Sequence, residues 1–172
     1  MIISPPKKTE SFGYFDRYIN KVPYKDLIKG FDESYGDFFD FIDDLPEETL
    51  NFRYQPDKWT IKEIIGHIID CERVFAYRAM RFGRGDKTPL PGFDENEYAK
   101  NSNAGKRNID ELVVEFADVR DATESLFLSF DEEMLDSRGK ANDIEVSVRA
   151  LGFMIVGHQL HHLEIIKERY IR

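Results

Sequence analysis

The sequence predicts an all-α fold, a four-helix bundle with a long crossover loop between its second and third helices. Three observations predict it. Four segments of about twenty residues carry apolar side chains at helical spacing, Pro and Gly punctuate the connections, and strand signals are weak throughout. An extended, Pro-containing N-terminal arm occupies residues 1–23. From about Tyr24 to Asp44, Leu27, Ile28, Phe31, Tyr35, Phe38, Phe39 and Ile42 recur with the helical period, and Pro46 stops this first helix. The second begins after Trp59. Thr60 is its N-cap and Glu63, three residues on, completes a capping box ahead of Ile61, Ile64, Ile65, Ile68, Phe75 and Ala79. It runs to about Phe82. Residues 83–108 lack a long periodic pattern and read as the crossover loop, holding one short helix; loops of this length often cover sites. A third helix runs from near Asn108 to near Phe130 with Leu112, Val113, Phe116, Val119, Ala122, Thr123, Leu126 and Phe127 at helical spacing. After a polar linker through residues 138–143, the fourth extends from about Ser147 to Tyr170, with Leu151, Met154, Ile155, His158, His162, Ile165 and Ile166 on its inner side.

Composition sets the surroundings. With 172 residues, 41% hydrophobic, 13% aromatic and 33% charged, the chain reads as one globular domain over residues 1–172. No apolar run is long enough to cross a bilayer, and the opening MIISPPKKTESFGYF lacks a signal peptide's continuous apolar stretch, so a cytoplasmic protein without a membrane partner is expected. A single cysteine, Cys71, precludes an intramolecular disulfide. Asp and Glu outnumber Lys and Arg by 33 to 24, for a net charge of −9. Nucleic acid is therefore not an expected partner, because phosphate binding depends on basic side chains releasing counterions. Arg73, Arg78, Arg81, Arg84 and Lys87 gather in or just after the second helix; they read as a solvated face interleaved with acids.

The chemistry lies in the histidines. His67 sits among isoleucines of the second helix, and the other three, His158, His161 and His162, cluster in the fourth. His158 and His162 are spaced i, i+4 and share a helix face. A lone histidine on an apolar face is commonly a hydrogen-bonded core residue, but three imidazoles buried together would each carry a desolvation penalty of about 1–3 kcal/mol that a common ligand offsets. If the two helices pack side by side, His67, His158 and His162 form the three-imidazole set of an open divalent metal site, with zinc or nickel the expected ion. His161 lies about 100° off the stripe and faces a neighbouring surface or supports the site. Gln159 stands where an HExxH motif would place its glutamate, so a zincin-type general base is disfavoured. Glu63 and Asp70, four residues before and three after His67, are the weak candidates for a catalytic carboxylate. Cys71 is either a core residue or a fourth ligand that would close the site.

The stretch Pro56-Asp57-Lys58-Trp59-Thr60-Ile61-Lys62-Glu63-Ile64-Ile65-Gly66-His67-Ile68-Ile69-Asp70, combined with Gly157-His158-Gln159-Leu160-His161-His162, resembles the DinB-like superfamily and its bacillithiol-transferase branch. The resemblance spans nearly the whole chain. It implies an up-down-down-up bundle, commonly a homodimer, whose divalent metal is held by three histidines that map by motif onto His67, His158 and His162. It also implies chemistry on a small molecule, in several members with a low-molecular-weight thiol. A thiol-dependent S-transferase is thus the first expectation and a metal-dependent hydrolase the second. A non-enzymatic, metal-stabilised, stress-related binding module is the third. Residues 87–94 are candidates for substrate contacts.

Overall fold

In the computed structural model, which describes residues 2–11 and 13–171, four long helices form the bundle: α2 (Leu27–Asp43), α4 (Ile61–Gly83), α6 (Ile109–Leu128) and α8 (Val148–Arg169). Their ends follow local chemistry. The Thr60 hydroxyl accepts from the Glu63 amide at 3.2 Å while the Glu63 carboxylate accepts from the Thr60 amide at 2.8 Å, so two of the orphan donors at the start of α4 are satisfied. Asn108 caps α6 and Ser147 caps α8 in the same way through the Asp110 and Ala150 amides.

Side-chain pairs fix the helix directions. Phe31 meets Phe127 and Phe38 meets Phe116, so α2 and α6 are antiparallel. The Tyr170 hydroxyl donates to the Trp59 carbonyl, and Phe82 lies against Gly139 just before α8, so α4 and α8 are antiparallel as well. Leu27 packs on Gly152 and Ser34 bonds Gln159, which makes α2 and α8 parallel; Arg73 with Glu115 and Gly83 with Phe130 make α4 and α6 parallel. The order is up-down-down-up. Because α4 and α6 run the same way, residues 84–108 must return the length of the bundle, which is the crossover the sequence predicts. They carry α5 (Glu95–Asn101) and a 3₁₀ turn, Ala104–Lys106.

Several connections are more ordered than the sequence suggests. The N-terminal arm, expected to be extended, contains α1 (Tyr14–Ile19), and short helices α3 (Glu47–Leu50) and α7 (Glu132–Asp136) follow α2 and α6. The expected polar linker at 138–143 is instead most of a β-hairpin, β1 (Arg138–Ala141) paired antiparallel with β2 (Ile144–Ser147) in the register Arg138↔Ser147 to Ala141↔Ile144. Asn142 and Asp143 form its two-residue turn at φ 49° and 64°, a left-handed geometry that these side chains tolerate better than most.

α8 is buried on nearly every side from Val148 to Gln159. Its N-terminal half, Val-Arg-Ala-Leu-Gly-Phe-Met-Ile-Val-Gly, has almost no polar face, which requires cover beyond α2 and α4. α1 supplies part of it. The helices approach so closely that a Cβ on Gly157 would lie 2.1 Å from the Tyr18 carbonyl oxygen, and only glycine fits there.

Two apolar clusters fill the interior, one built around Phe15, Phe31, Phe82, Phe127 and Phe153, the other around Ile61, Ile65, Leu112, Phe116 and Ile166. A polar layer lies between them. Arg120 of α6 donates to both Glu72 carboxylate oxygens at 3.0 and 2.8 Å, to the Phe31 carbonyl at 2.9 Å, to the Ser34 hydroxyl at 3.3 Å and to the Gln159 side-chain oxygen at 2.6 Å. Its guanidinium also lies over the Phe31 and Phe116 rings. Arg120 thereby touches all four long helices from a position only 3% exposed. Removing one member leaves an uncompensated buried charge, so Arg120→Met is expected to cost about 3–5 kcal/mol. Arg120→Met combined with Glu72→Met should cost clearly less than the two single changes summed, as urea denaturation midpoints of the three variants would show.

Candidate metal centre

His67 lies two turns into α4, and His158 and His162 lie in the second half of α8; the antiparallel packing of these helices brings the three rings together. All are buried, at 5–8% exposure. His158 Nε2 stands 3.1 Å from His67 Nε2 and 3.2 Å from His162 Nε2. Nitrogens about 2.0–2.1 Å from one ion are separated by roughly 3.0–3.4 Å, the range in which both of these spacings fall. Burial pushes the His67 imidazole down to about 4. Burial first, and then the neighbouring imidazoles, hold His158 and His162 well below the usual histidine range. Neutral rings with free lone pairs are the form that binds metal. Among the described residues, the buried Nδ1 of His162 has no hydrogen-bond partner, so that ring lacks the outer hydrogen bond that commonly orients a metal-binding imidazole.

Cys71, one turn beyond His67, places its Sγ 3.6 Å from the His67 ring nitrogens. A second donor set therefore overlaps the first: His67, Cys71 and His158 offer atoms all within 4.8 Å of one another. In the metal-free protein the two sets differ in protonation. Burial, reinforced by Asp70 and Glu95, pushes the Cys71 thiol far up, so it stays protonated where the imidazoles are neutral.

The other sequence candidates are placed elsewhere. Glu63 is held by its cap and by Arg53 at 2.7 Å. Asp70 is half-buried beside Arg73 at 3.7 Å. Neither lines the cavity above the imidazoles. Gln159 faces the opposite side of α8, in the Arg120 network. His161 is half-buried at the cavity rim, its ring edge-on to Tyr18 and to His162.

The imidazoles open into a cavity of about 420 Å³. Trp59, 4.7 Å from His67 between ring centroids, forms one wall, and Phe75 and Tyr18 pack edge-on to His158. Of the loop residues 87–94, Gly92 and Phe93 reach the cavity, whereas Lys87 bonds the Arg138 carbonyl and Thr88 the Asp86 carboxylate. Hydrogen bonds between Leu90 and the hairpin, from the Leu90 amide to Lys140 and from the Asn142 amide to Leu90, stitch this loop in place. They seat Asn142 at the rim, so near Gly92 that a Cβ there would lie 2.4 Å from Asn142 Oδ1.

Sequence reasoning missed Arg17, Tyr18, Trp59, Glu95 and Asn142 as lining residues. Two of them carried a signal. Trp59 immediately precedes the capping box that starts the histidine helix, and Asn142-Asp143 is a two-residue hairpin turn pair.

Comparison with known proteins agrees with this architecture. A protein of Oceanobacillus iheyensis, a proposed metal-dependent hydrolase, is 25% identical over 129 residues, 73% of each chain. YfiT from Bacillus subtilis, a proposed metal-dependent hydrolase with an unusual four-helix bundle topology, superposes with a TM-score of 0.75 at 14% identity, over 95% of this chain and 89% of its own. That likeness establishes the shared fold. Residues 31–166 match the DinB superfamily, a span that contains all four long helices but for the ends of α2 and α8, together with His67, His158 and His162, and the chain belongs to that superfamily.

Proposed function

We propose that this chain is a metal-dependent enzyme acting on a small molecule, with His67, His158 and His162 holding a divalent ion at the floor of the cavity. One observation carries the reading: three buried, neutral imidazoles direct their Nε2 atoms together beneath an open chamber. Such a donor set suits zinc or nickel. Three such ligands without Cys71 would be the donor count of a catalytic site rather than of a closed structural one. A divalent ion bound there supplies Lewis acidity and lowers the pKa of a coordinated water or thiol toward neutrality.

The rest is the work of the chain. Trp59, Phe75 and Tyr18 form the aromatic walls that exclude bulk water from the imidazoles. The rim residues Gly92, Phe93 and Asn142 admit and orient the substrate. Hydrolysis is the reading supported by the relatives' proposed activity. Thiol transfer to an electrophile is the second reading, and a specific observation favours it. Glu63 and Asp70 are engaged outside the cavity, which leaves Glu95 at the rim as the carboxylate lining it, and a thiol, being more acidic than water, would need less help from a base.

Protein purified without a histidine tag should carry close to one divalent ion per chain, lost in His162→Ala, by elemental analysis. When the protein is reconstituted with Co²⁺, addition of a small thiol should produce a thiolate-to-metal charge-transfer band if transfer is the activity. Retention of the visible spectrum together with turnover of ester, amide or phosphoester substrates marks the hydrolase. A wild type that folds only with metal and exchanges no ligand would mark a non-enzymatic module instead.

Acid should destabilise the metal-free protein. The unfolded chain protonates its histidines near 6.5, whereas folded His67 does so near 4, so the unfolded state binds more protons between these values. This contribution to stability is complete above about pH 6.5 and is lost as the pH falls toward 4, reaching about 3 kcal/mol for His67 alone. His158 and His162 act in the same direction. Urea midpoints of chelator-treated protein between pH 7.5 and 4.5 check this, with His67→Asn expected to flatten the profile.

A further inference from the structure

The five basic residues gathered in and after α4 do not share one fate. Arg73 pairs with Glu115, Arg81 with Asp86, Arg84 lies over Phe130, and Lys87 bonds a backbone carbonyl. Arg78 alone turns inward. It is 2% exposed and lines the cavity above the histidines, with its guanidinium held by the Pro91 carbonyl at 2.9 Å and flanked by the Phe75 and Phe93 rings.

Its position on the helix explains this. His67, Cys71, Phe75 and Arg78 follow one another at i, i+4, i+8 and i+11, a single stripe of α4. From residue 67 to residue 78 the helix rises roughly 16 Å, and helical side chains lean toward the N-terminus, so the guanidinium leans back toward the imidazoles. Arg17, from α1, lines the same cavity. It lies against Tyr18, and its charge is felt at both His158 and His162. Among the described residues, two guanidiniums therefore line the chamber against one carboxylate, Glu95, in a chain whose net charge is −9. The local sign is the reverse of the global one, and a cleft with low-dielectric walls focuses that field.

Taking the cavity as the reaction chamber proposed above, we infer that its substrate carries an anionic group, a carboxylate or phosphate, that is recognised by Arg78 with Arg17 at the mouth, while the reacting end lies at the imidazoles. A guanidinium is a planar fork whose geometry suits either oxyanion. The aromatic walls would pack an apolar body between the two ends.

Trp59, the only tryptophan of the chain, lies in the cavity wall and reports occupancy by its fluorescence. The probes are 4-phenylbutyrate, phenyl phosphate and the neutral 4-phenylbutyramide, titrated into metal-loaded and chelator-treated wild type. Both anions should bind at least about tenfold tighter than the amide, with or without metal, and the tighter of the two identifies which oxyanion the fork prefers. Arg78→Met should erase the preference and Arg78→Lys should keep part of it. Arg17→Met, at an exposed position that leaves the fold intact, should reduce it and weaken its dependence on salt.

Equal binding of anion and amide overturns the inference. So does a preference that disappears on chelation or survives in Arg78→Met, since the anion would then be held by the metal. If Arg78→Met does not fold, Arg78→Lys and Arg17→Met decide, and a preference unchanged in both overturns the assignment. Failure of the metal reading shows separately, as wild type that binds no ion yet still prefers the anions.

Discussion

The buried contact of Arg120 with Glu72 governs the geometry of this bundle. Two charges lie in a nearly dry interior, where their desolvation is offset only if every hydrogen-bonding direction is met. Arg120 meets this demand by drawing partners from each remaining long helix: the Phe31 carbonyl and Ser34 of α2, Glu72 of α4 and Gln159 of α8. Apolar clusters on either side would tolerate sliding by a turn, since one isoleucine packs much like another. The polar layer does not tolerate it, because a shift of any helix would strand a charge. It sets the register of the four helices at the level where the histidines meet.

That level matters for the site because α8 serves both. Gln159 points into the network, while His158 and His162, its neighbours in sequence, point the other way toward His67. α4 is divided similarly, with Glu72 on the network face and Cys71 on the site face. The imidazoles are thus positioned by helices whose relative heights are fixed a few ångströms away. Donor geometry of this kind rests on rigid elements and loses little entropy when a ligand binds.

Much of this was legible in the sequence. The four long helices, the capping box at Thr60 and the convergence of His67, His158 and His162 follow from periodicity and spacing. What was not legible depends on three-dimensional neighbours. The period that placed Phe116, Val119 and Thr123 on the inner face of α6 gives no hint that Arg120, between them, is buried, because its burial depends on Glu72, which is 48 residues away. Gln159 was read for the motif it lacks, and its role lies in the core. The hairpin was hidden by short strands with polar residues, Arg-Gly-Lys-Ala and Ile-Glu-Val-Ser, although its Asn-Asp turn was in view. The arm read as extended because six residues of helix are too few to register a period, and only the all-round apolar character of α8 hinted that something must cover it.

The parallel course of α4 and α6 separates two parts of the molecule that many enzymes intermix. The candidate metal donors belong to the helices, whereas Gly92, Phe93, Glu95 and Asn142 at the rim belong to the long return segment and the hairpin stitched to it. A mutation in the first group disturbs packed helices whose heights are locked together. A mutation at the exposed rim positions of the second group alters loop surface, while the buried Leu90, Ala141 and Val146 anchor those segments to the core. Selection can therefore rewrite what enters such a chamber at little risk to what holds it together. Members of one superfamily built this way would share a scaffold and a set of histidines while diverging freely in the molecules they admit.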